Sequence, residues 1–358
     1  MQIQYIFVHG LSGWGSYDPA YARMPYWGMQ NGDLMEYLRG LGYECFAASV
    51  SPKGSAWDRA CELYAQLTGT RIDYGKVHSE KAGHPRFGKD FSGCPLIPVW
   101  DEEHPAVLIG HSFGGATVRL FSHLTAYGEA EEADNTEDCS SFFQGGKGNL
   151  IRGIAVLAAP NNGTTAYDLY SDPDFDVSAV KIPPVYRMYA KLMARNGKVV
   201  HDRADWDYAA YDMHVDNADA LNRKIRMIPD AYYWSCPACI TERKNDVSYP
   251  KIRECEQLYV QASIRMGAYS GTSLGGIPLG KEWQPNDGLV NTISAKAPSH
   301  APSKEYEPGN VIPGVWNIMP VWPHDHMSFQ GGMMRRCDIF PFYRQMMKMM
   351  DEILKAGK

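Results

Sequence analysis

The sequence predicts an α/β fold, a mostly parallel central sheet flanked by helices. Three observations carry this. Short apolar runs of strand length alternate with segments whose apolar residues fall at helical spacing, and the strands close on glycine or glycine-rich loops. A chain of 358 residues, 44% of them hydrophobic, can also bury a core on both faces of a sheet.

The elements follow in order. Residues 3–10 (IQYIFVHG) read as a buried strand stopped by glycine, and 33–42 (DLMEYLRGLG) as a helix with a glycine stop. Residues 44–50 (ECFAASV) form a second strand, and 57–69 (WDRACELYAQLTG) a helix. A strand at 106–110 (AVLIG) runs into a helix at 113–127, and 151–160 (IRGIAVLAAP) is a further strand. In the last helix, Tyr343, Met346, Met350 and Ile353 share one face, an arrangement for core packing because the other face is ordinary charge. Two stretches, 70–104 and 161 to about 230, fit no minimal α/β core; irregular segments of that length inside a domain are lids or binding segments. No repeat or Ser/Gly linker divides the chain, so a single domain over 1–358 is expected, with an insertion at about 58–104 and a lid or cap region at about 165–215.

Net charge is −6, from 35 basic and 41 acidic residues without a Lys/Arg run, which removes the electrostatic footprint needed for nucleic acid. No apolar stretch reaches the ~20 residues of a membrane span, and the first residues lack the pattern of a signal peptide. The expectation is a soluble chain, monomeric, with no nucleic-acid partner. The eight cysteines are dispersed. Cys236-Pro-Ala-Cys239 followed by Cys255 lacks the second pair of a zinc ribbon, and a local disulfide or free thiols is expected.

Chemistry enters at Gly110-His111-Ser112-Phe113-Gly114. With a strand before it and a helix after it, this G-x-S-x-G pentapeptide is a nucleophile elbow: the turn is so tight that flanking side chains must be absent, and the serine hydroxyl is held clear of the sheet. Such a serine needs a histidine to take its proton and a carboxylate to orient the histidine. It also needs an oxyanion hole, with one amide from Phe113 and one from the loop after the first strand; in VHGLSGWG the second donor is Leu11. In this fold the acid and the histidine follow the serine. Asp287 in QPNDGLVNTIS is the acid and His326 in VWPHDHMSF the base, with Asp246, His300 and His324 as rivals on sequence logic alone.

These residues resemble the zinc-containing thermoalkalophilic family of bacterial true lipases, the Bacillus and Staphylococcus group of the α/β-hydrolase superfamily. The similarity runs from HGLSGWG through YWG (26–28), WDRACELYAQLTGTRIDYG (57–75), GHPRFG (83–88), the elbow, APNNGTT (159–165), YD (211–212), NDGLVNTIS and GVWN (314–317) to DHMSF. It implies a triad of Ser112, Asp287 and His326, and a structural zinc held by Asp58, His78, His84 and Asp212. One such ion would tie the insertion to the segment near 212. The family's calcium site uses a glutamate two residues after the histidine; Ser328 stands there, and FQGGMM follows without a carboxylate, so calcium is expected to be absent. The lid region matches poorly, although Val185, Met188 and Leu192 fall on one helical face after a proline. The implied activity is hydrolysis of lipid or other water-insoluble esters through an acyl-enzyme, at a lipid or polymer surface, by a secreted protein. A short-chain carboxylesterase or polyester hydrolase is the alternative within the fold, and a non-catalytic binding protein the alternative outside it.

Overall fold

In the computed structural model, residues 1–135, 137–170 and 203–357 are described. The expected lid helix at 183–195 lies outside them. Among the described residues seven strands form the central sheet: β1 (Gln4–Val8), β2 (Glu44–Ala48), β3 (Ala106–His111), β4 (Ile151–Leu157), β5 (Tyr232–Cys236), β6 (Ser303–Glu305) and β7 (Trp316–Ile318). Their order across the sheet is β6-β7-β5-β4-β3-β1-β2, and every neighbouring pair is parallel.

Alternation along β1 shows why both faces are covered. Ile6 and Val8 enter one apolar core with Ala60, Leu63 and Leu67 of α2 (Ala56–Thr68) and Val118, Phe121 and Leu124 of α3 (Gly114–Tyr127). Tyr5 and Phe7 enter a second core with Leu34, Met35 and Leu38 of α1 (Leu34–Gly40) and Met346, Met347 and Met350 of α4 (Phe340–Ala356). Period two in the strand thus meets helical spacing on either side. On α4, Tyr343, Met346 and Met350 are buried as expected, but Leu354 completes the stripe while Ile353 is only half-buried.

Local signals set the helix ends. Asp33 caps α1 by accepting from Met35 N at 2.8 Å, and Ser55 caps α2 by accepting from Asp58 N at 3.1 Å. The stretch at 70–104, read as irregular, holds an antiparallel strand pair, Arg71–Asp73 with Phe87–Asp90, and a helix, Lys76–Ala82. Beyond 203 lie the helices Ala209–Asp212 and Val215–Lys224. All eight cysteines are free thiols. No helix among the described residues is long and apolar enough to cross a membrane.

The strand order places the site. From β1 the chain moves outward to β2, then returns to the other side of β1 for β3, so the loops leaving β1 and β3 diverge and open a crevice at their carboxyl ends. Val8 is in register with Gly110, which sets Gly10 and Ser112 abreast at that edge.

Candidate active site and metal centre

Ser112 sits between β3 and α3 with φ of 55°, a left-handed conformation that costs a non-glycine residue about 1–3 kcal/mol. The turn is held by Ser112 N donating to Leu157 O at 2.9 Å and Gly115 N donating to Ser112 O at 2.9 Å. A Cβ on Gly114 would stand 2.3 Å from Val8 O, and one on Gly110 2.5 Å from Gly114 C, so the elbow closes only with glycine at both positions.

His326 opens a 3-10 helix, His326–Gln330, far along the chain. Its Nε2 lies 2.9 Å from Ser112 Oγ, and its Nδ1 lies 2.8 Å from Asp287 Oδ2. Asp287 is fully buried, and its other oxygen accepts from Leu289 N at 3.0 Å and Val290 N at 2.8 Å. The amide of His326 donates to Asp287 O at 2.8 Å, so the acid and the imidazole are joined through backbone as well as side chain. With Nδ1–H donated to the carboxylate, Nε2 keeps its lone pair for the serine proton. Asp325 caps the 3-10 helix, accepting from Ser328 N at 3.1 Å and Ser328 Oγ at 2.8 Å, and burial raises its carboxyl above the usual range.

The rivals lie elsewhere. His324 packs on Trp322, His300 pairs with Asp219 at 2.8 Å, and Asp246 is exposed near Lys281 at 3.5 Å. Leu11 and Phe113 flank the crevice, and neither amide donates to a backbone acceptor among the described residues outside the helix and strand ladders. Beneath them the Arg59 guanidinium is fully buried, donates to His9 O and lies 5.0 Å from the Phe113 ring centroid. Burial lowers the pKa of Arg59 to about 10 and that of His9 to about 3.

A second cluster gathers around α2. Asp58, His78, His84 and Asp207 each present one ligand atom, all within 4.8 Å of one another. Asp212, expected as the fourth ligand, is not in this group. It ends the helix Ala209–Asp212 and turns its Oδ2 to accept from Ala56 N at 2.7 Å, whereas Asp207 precedes that helix and faces the histidines. His78 Nε2 is 3.3 Å from Asp58 Oδ1 and 3.2 Å from Asp207 Oδ1; His84 Nε2 is 3.7 Å from Asp58 Oδ1 and 3.3 Å from Asp207 Oδ2.

These separations match the roughly 3.3–3.5 Å edges of a tetrahedron with metal–ligand bonds of about 2.0–2.1 Å. Asp58 Oδ1, Asp207 Oδ1 and both Nε2 atoms are buried without a hydrogen-bond partner among the described residues, which costs free energy unless a cation satisfies them. The outer contacts suit that role. His84 Nδ1 lies 2.9 Å from Pro85 O, fixing the tautomer that frees Nε2, and Arg203 bridges the Oδ2 atoms of Asp58 and Asp207. Trp57 stacks on His78 at 5.0 Å.

Sequence reasoning missed two features near Ser112 and His326. Glu256 Oε1 accepts from the amides of Met333, Met334 and Arg335 at 2.8, 2.7 and 2.9 Å, pinning the loop after the 3-10 helix at His326. Tyr26 and His111 form a buried pair behind Ser112, with Tyr26 Oη 2.7 Å from His111 Nδ1. Only burial and three-dimensional proximity mark them.

Similar proteins share this architecture. A lipase of Staphylococcus hyicus is 32% identical over 355 residues, covering 91% of this chain and 53% of that protein, and Lipase 2 of Staphylococcus aureus is 31% identical over 362 residues, covering 91% and 50%. The chain therefore spans about half the length of these curated relatives. EstA from Clostridium botulinum superposes with a TM-score of 0.83 at 29% identity, covering 98% of this chain and 87% of that one. The Staphylococcus hyicus lipase structure superposes at 0.81 with 28% identity, covering 99% and 96%. The family model for the lipase-like C-terminal domain matches residues 2–195, more than half of the chain, and the chain belongs to that family.

Proposed function

We propose that the protein is a serine ester hydrolase acting on lipid or other water-insoluble esters through an acyl-enzyme. The observation that carries this is the continuous line Asp287–His326–Ser112, with contacts of 2.8 and 2.9 Å, at the mouth of the crevice beside the β1 loop. Nucleophile and base at hydrogen-bond distance, with the base oriented by a buried acid, form the constellation for acyl transfer.

In this reading His326 takes the Ser112 proton as Oγ attacks the ester carbonyl. The amides of Leu11 and Phe113 stabilise the oxyanion, and protonated His326 returns the proton to the leaving alkoxide. The same histidine then activates water, which attacks the acyl-enzyme and releases the acid and free Ser112. Asp287 holds the tautomer and balances the imidazolium.

Asp58, His78, His84 and Asp207 would hold a zinc ion. Four nitrogen and oxygen ligands leave no open position, so the ion would supply structural cross-linking of the Arg71–Asp90 insertion to the segment at 207. On the family resemblance we place the enzyme outside the cell.

The test compares initial rates on nitrophenyl acetate, nitrophenyl palmitate and emulsified triacylglycerol, for the protein and for Ser112→Ala. Turnover of the long-chain and emulsified esters that vanishes in Ser112→Ala supports the reading. Turnover of acetate alone would make the protein a short-chain carboxylesterase, and activity surviving in Ser112→Ala would remove the serine mechanism.

A further inference from the structure

We propose that Tyr26 and His111 are positioning residues that tie the backbone of the oxyanion loop to the backbone of the catalytic histidine. This rests on reading Ser112 and His326 as nucleophile and base.

The hydrogen positions follow from the partners. His111 Nε2 is 3.0 Å from His326 O, a group that only accepts, so Nε2 carries the proton. The ring is fully buried, and burial with His326 nearby holds its pKa well below the ordinary 6.5, so it is neutral and Nδ1 bears a lone pair. Tyr26 Oη, 2.7 Å away, therefore donates to Nδ1. Gly10 N in turn donates to Tyr26 Oη at 3.0 Å. Every link has one donor and one acceptor, and the direction runs from Gly10 through Tyr26 and His111 to His326 O.

The placement gives the line its purpose. Gly10 immediately precedes Leu11, and His111 immediately precedes Ser112, yet the His111 ring turns from the nucleophile toward the His326 backbone. Three separate chain segments, the β1 loop, the β3 elbow and the 3-10 helix at 326, meet in this one line. Tyr26 is fixed by edge contacts with Trp27 at 5.3 Å and Trp14 at 5.6 Å, and the His111 and His326 rings are 4.9 Å apart. Shifting the oxyanion amides relative to the imidazole would stretch these bonds, so the two groups that act on opposite sides of the ester carbon keep their spacing.

The experiment measures kcat and KM on a soluble nitrophenyl ester for Tyr26→Phe, His111→Gln and the double variant, with circular dichroism to confirm folding. Glutamine can donate through Nε2 to His326 O and accept from Tyr26 through Oε1, so His111→Gln is the conservative rescue. The expected result is a fall in kcat of about 10- to 100-fold for Tyr26→Phe with KM changed less than about threefold, the scale of a sub-ångström misplacement. His111→Gln should keep kcat within about fivefold, and adding Tyr26→Phe to it should cost what it costs in the native background. An unchanged kcat in folded Tyr26→Phe, or a loss expressed only in KM, would overturn the proposal. Failure of the underlying reading has a separate signature, activity retained by Ser112→Ala.

Discussion

A Cβ on Gly10 would stand 2.7 Å from the Cβ of Ser112, so the loop that leaves β1 lies directly against that serine. Real carbons do not approach so closely, and either the loop or the elbow must give way if Gly10 gains a side chain. Gly10→Ala is therefore expected to lower kcat by about 10- to 100-fold while leaving the far-ultraviolet spectrum unchanged. Steady-state kinetics on a soluble ester check this, and native kcat in the variant would show that the loop has room.

Substituting the acid separates orientation from folding. Asp287→Asn keeps the size of the side chain but offers an amide where Nδ1–H needs an acceptor, favouring the wrong tautomer of His326. A loss of about 10⁴ in kcat is expected, with little change in thermal midpoint. A loss under tenfold would mean that the 2.8 Å contact does not govern the base.

The candidate metal cluster distinguishes two nearby aspartates. Asp207→Asn should lower zinc content well below one per chain and drop the thermal midpoint by roughly 5–10 °C, as should a chelator on the unaltered protein. Asp212→Asn should keep its zinc, because that carboxyl faces Ala56 N. Elemental analysis of both variants reads the answer, and zinc lost only from Asp212→Asn would reverse the assignment.

Two buried histidines set an acid limb of stability. Burial lowers the pKa of His9 to about 3 and that of His111 well below 6.5. Below pH 6.5 the unfolded chain takes up these protons while the folded chain does not, so the contribution of these two histidines is complete above 6.5 and declines as pH falls. The slope is about 1.4 kcal/mol per pH unit for each histidine. Denaturant titrations at pH 7.5 and 5.5 should show the stability of His111→Gln shifting less towards loss on acidification than that of the unaltered protein, whose buried Glu62, raised to about 7, works in the opposite sense. An identical slope in that variant would remove His111 from the account.

How much of this could be read in the residues follows from what each signal depends on. Strands β1 to β4 and helices α1 to α4 were legible because period two and helical spacing report burial directly. The tight turn at Ser112 was legible because its glycines are demanded by contacts as short as 2.3 Å, whereas chain order left rivals to Asp287 and His326 that only the family resemblance set aside. The strand pair Arg71–Asp73 with Phe87–Asp90 was hidden because three- and four-residue strands carry no periodicity. Asp207 rather than Asp212 joins the cluster because Asp207 precedes the helix Ala209–Asp212 and Asp212 ends it, a difference of one helical turn that the residues do not announce. Tyr26 drew notice only within a three-residue match, since nothing local reveals that its hydroxyl meets a histidine 85 residues further along the chain.

The most direct measurement of the central claim is covalent labelling by a fluorophosphonate, mapped by mass spectrometry on the intact protein and its peptides. One adduct per chain on the peptide containing Ser112, slowed at least a thousandfold in His326→Ala, is the result expected of a serine activated across 2.9 Å. Labelling at another residue, or at an undiminished rate without the imidazole, would contradict it.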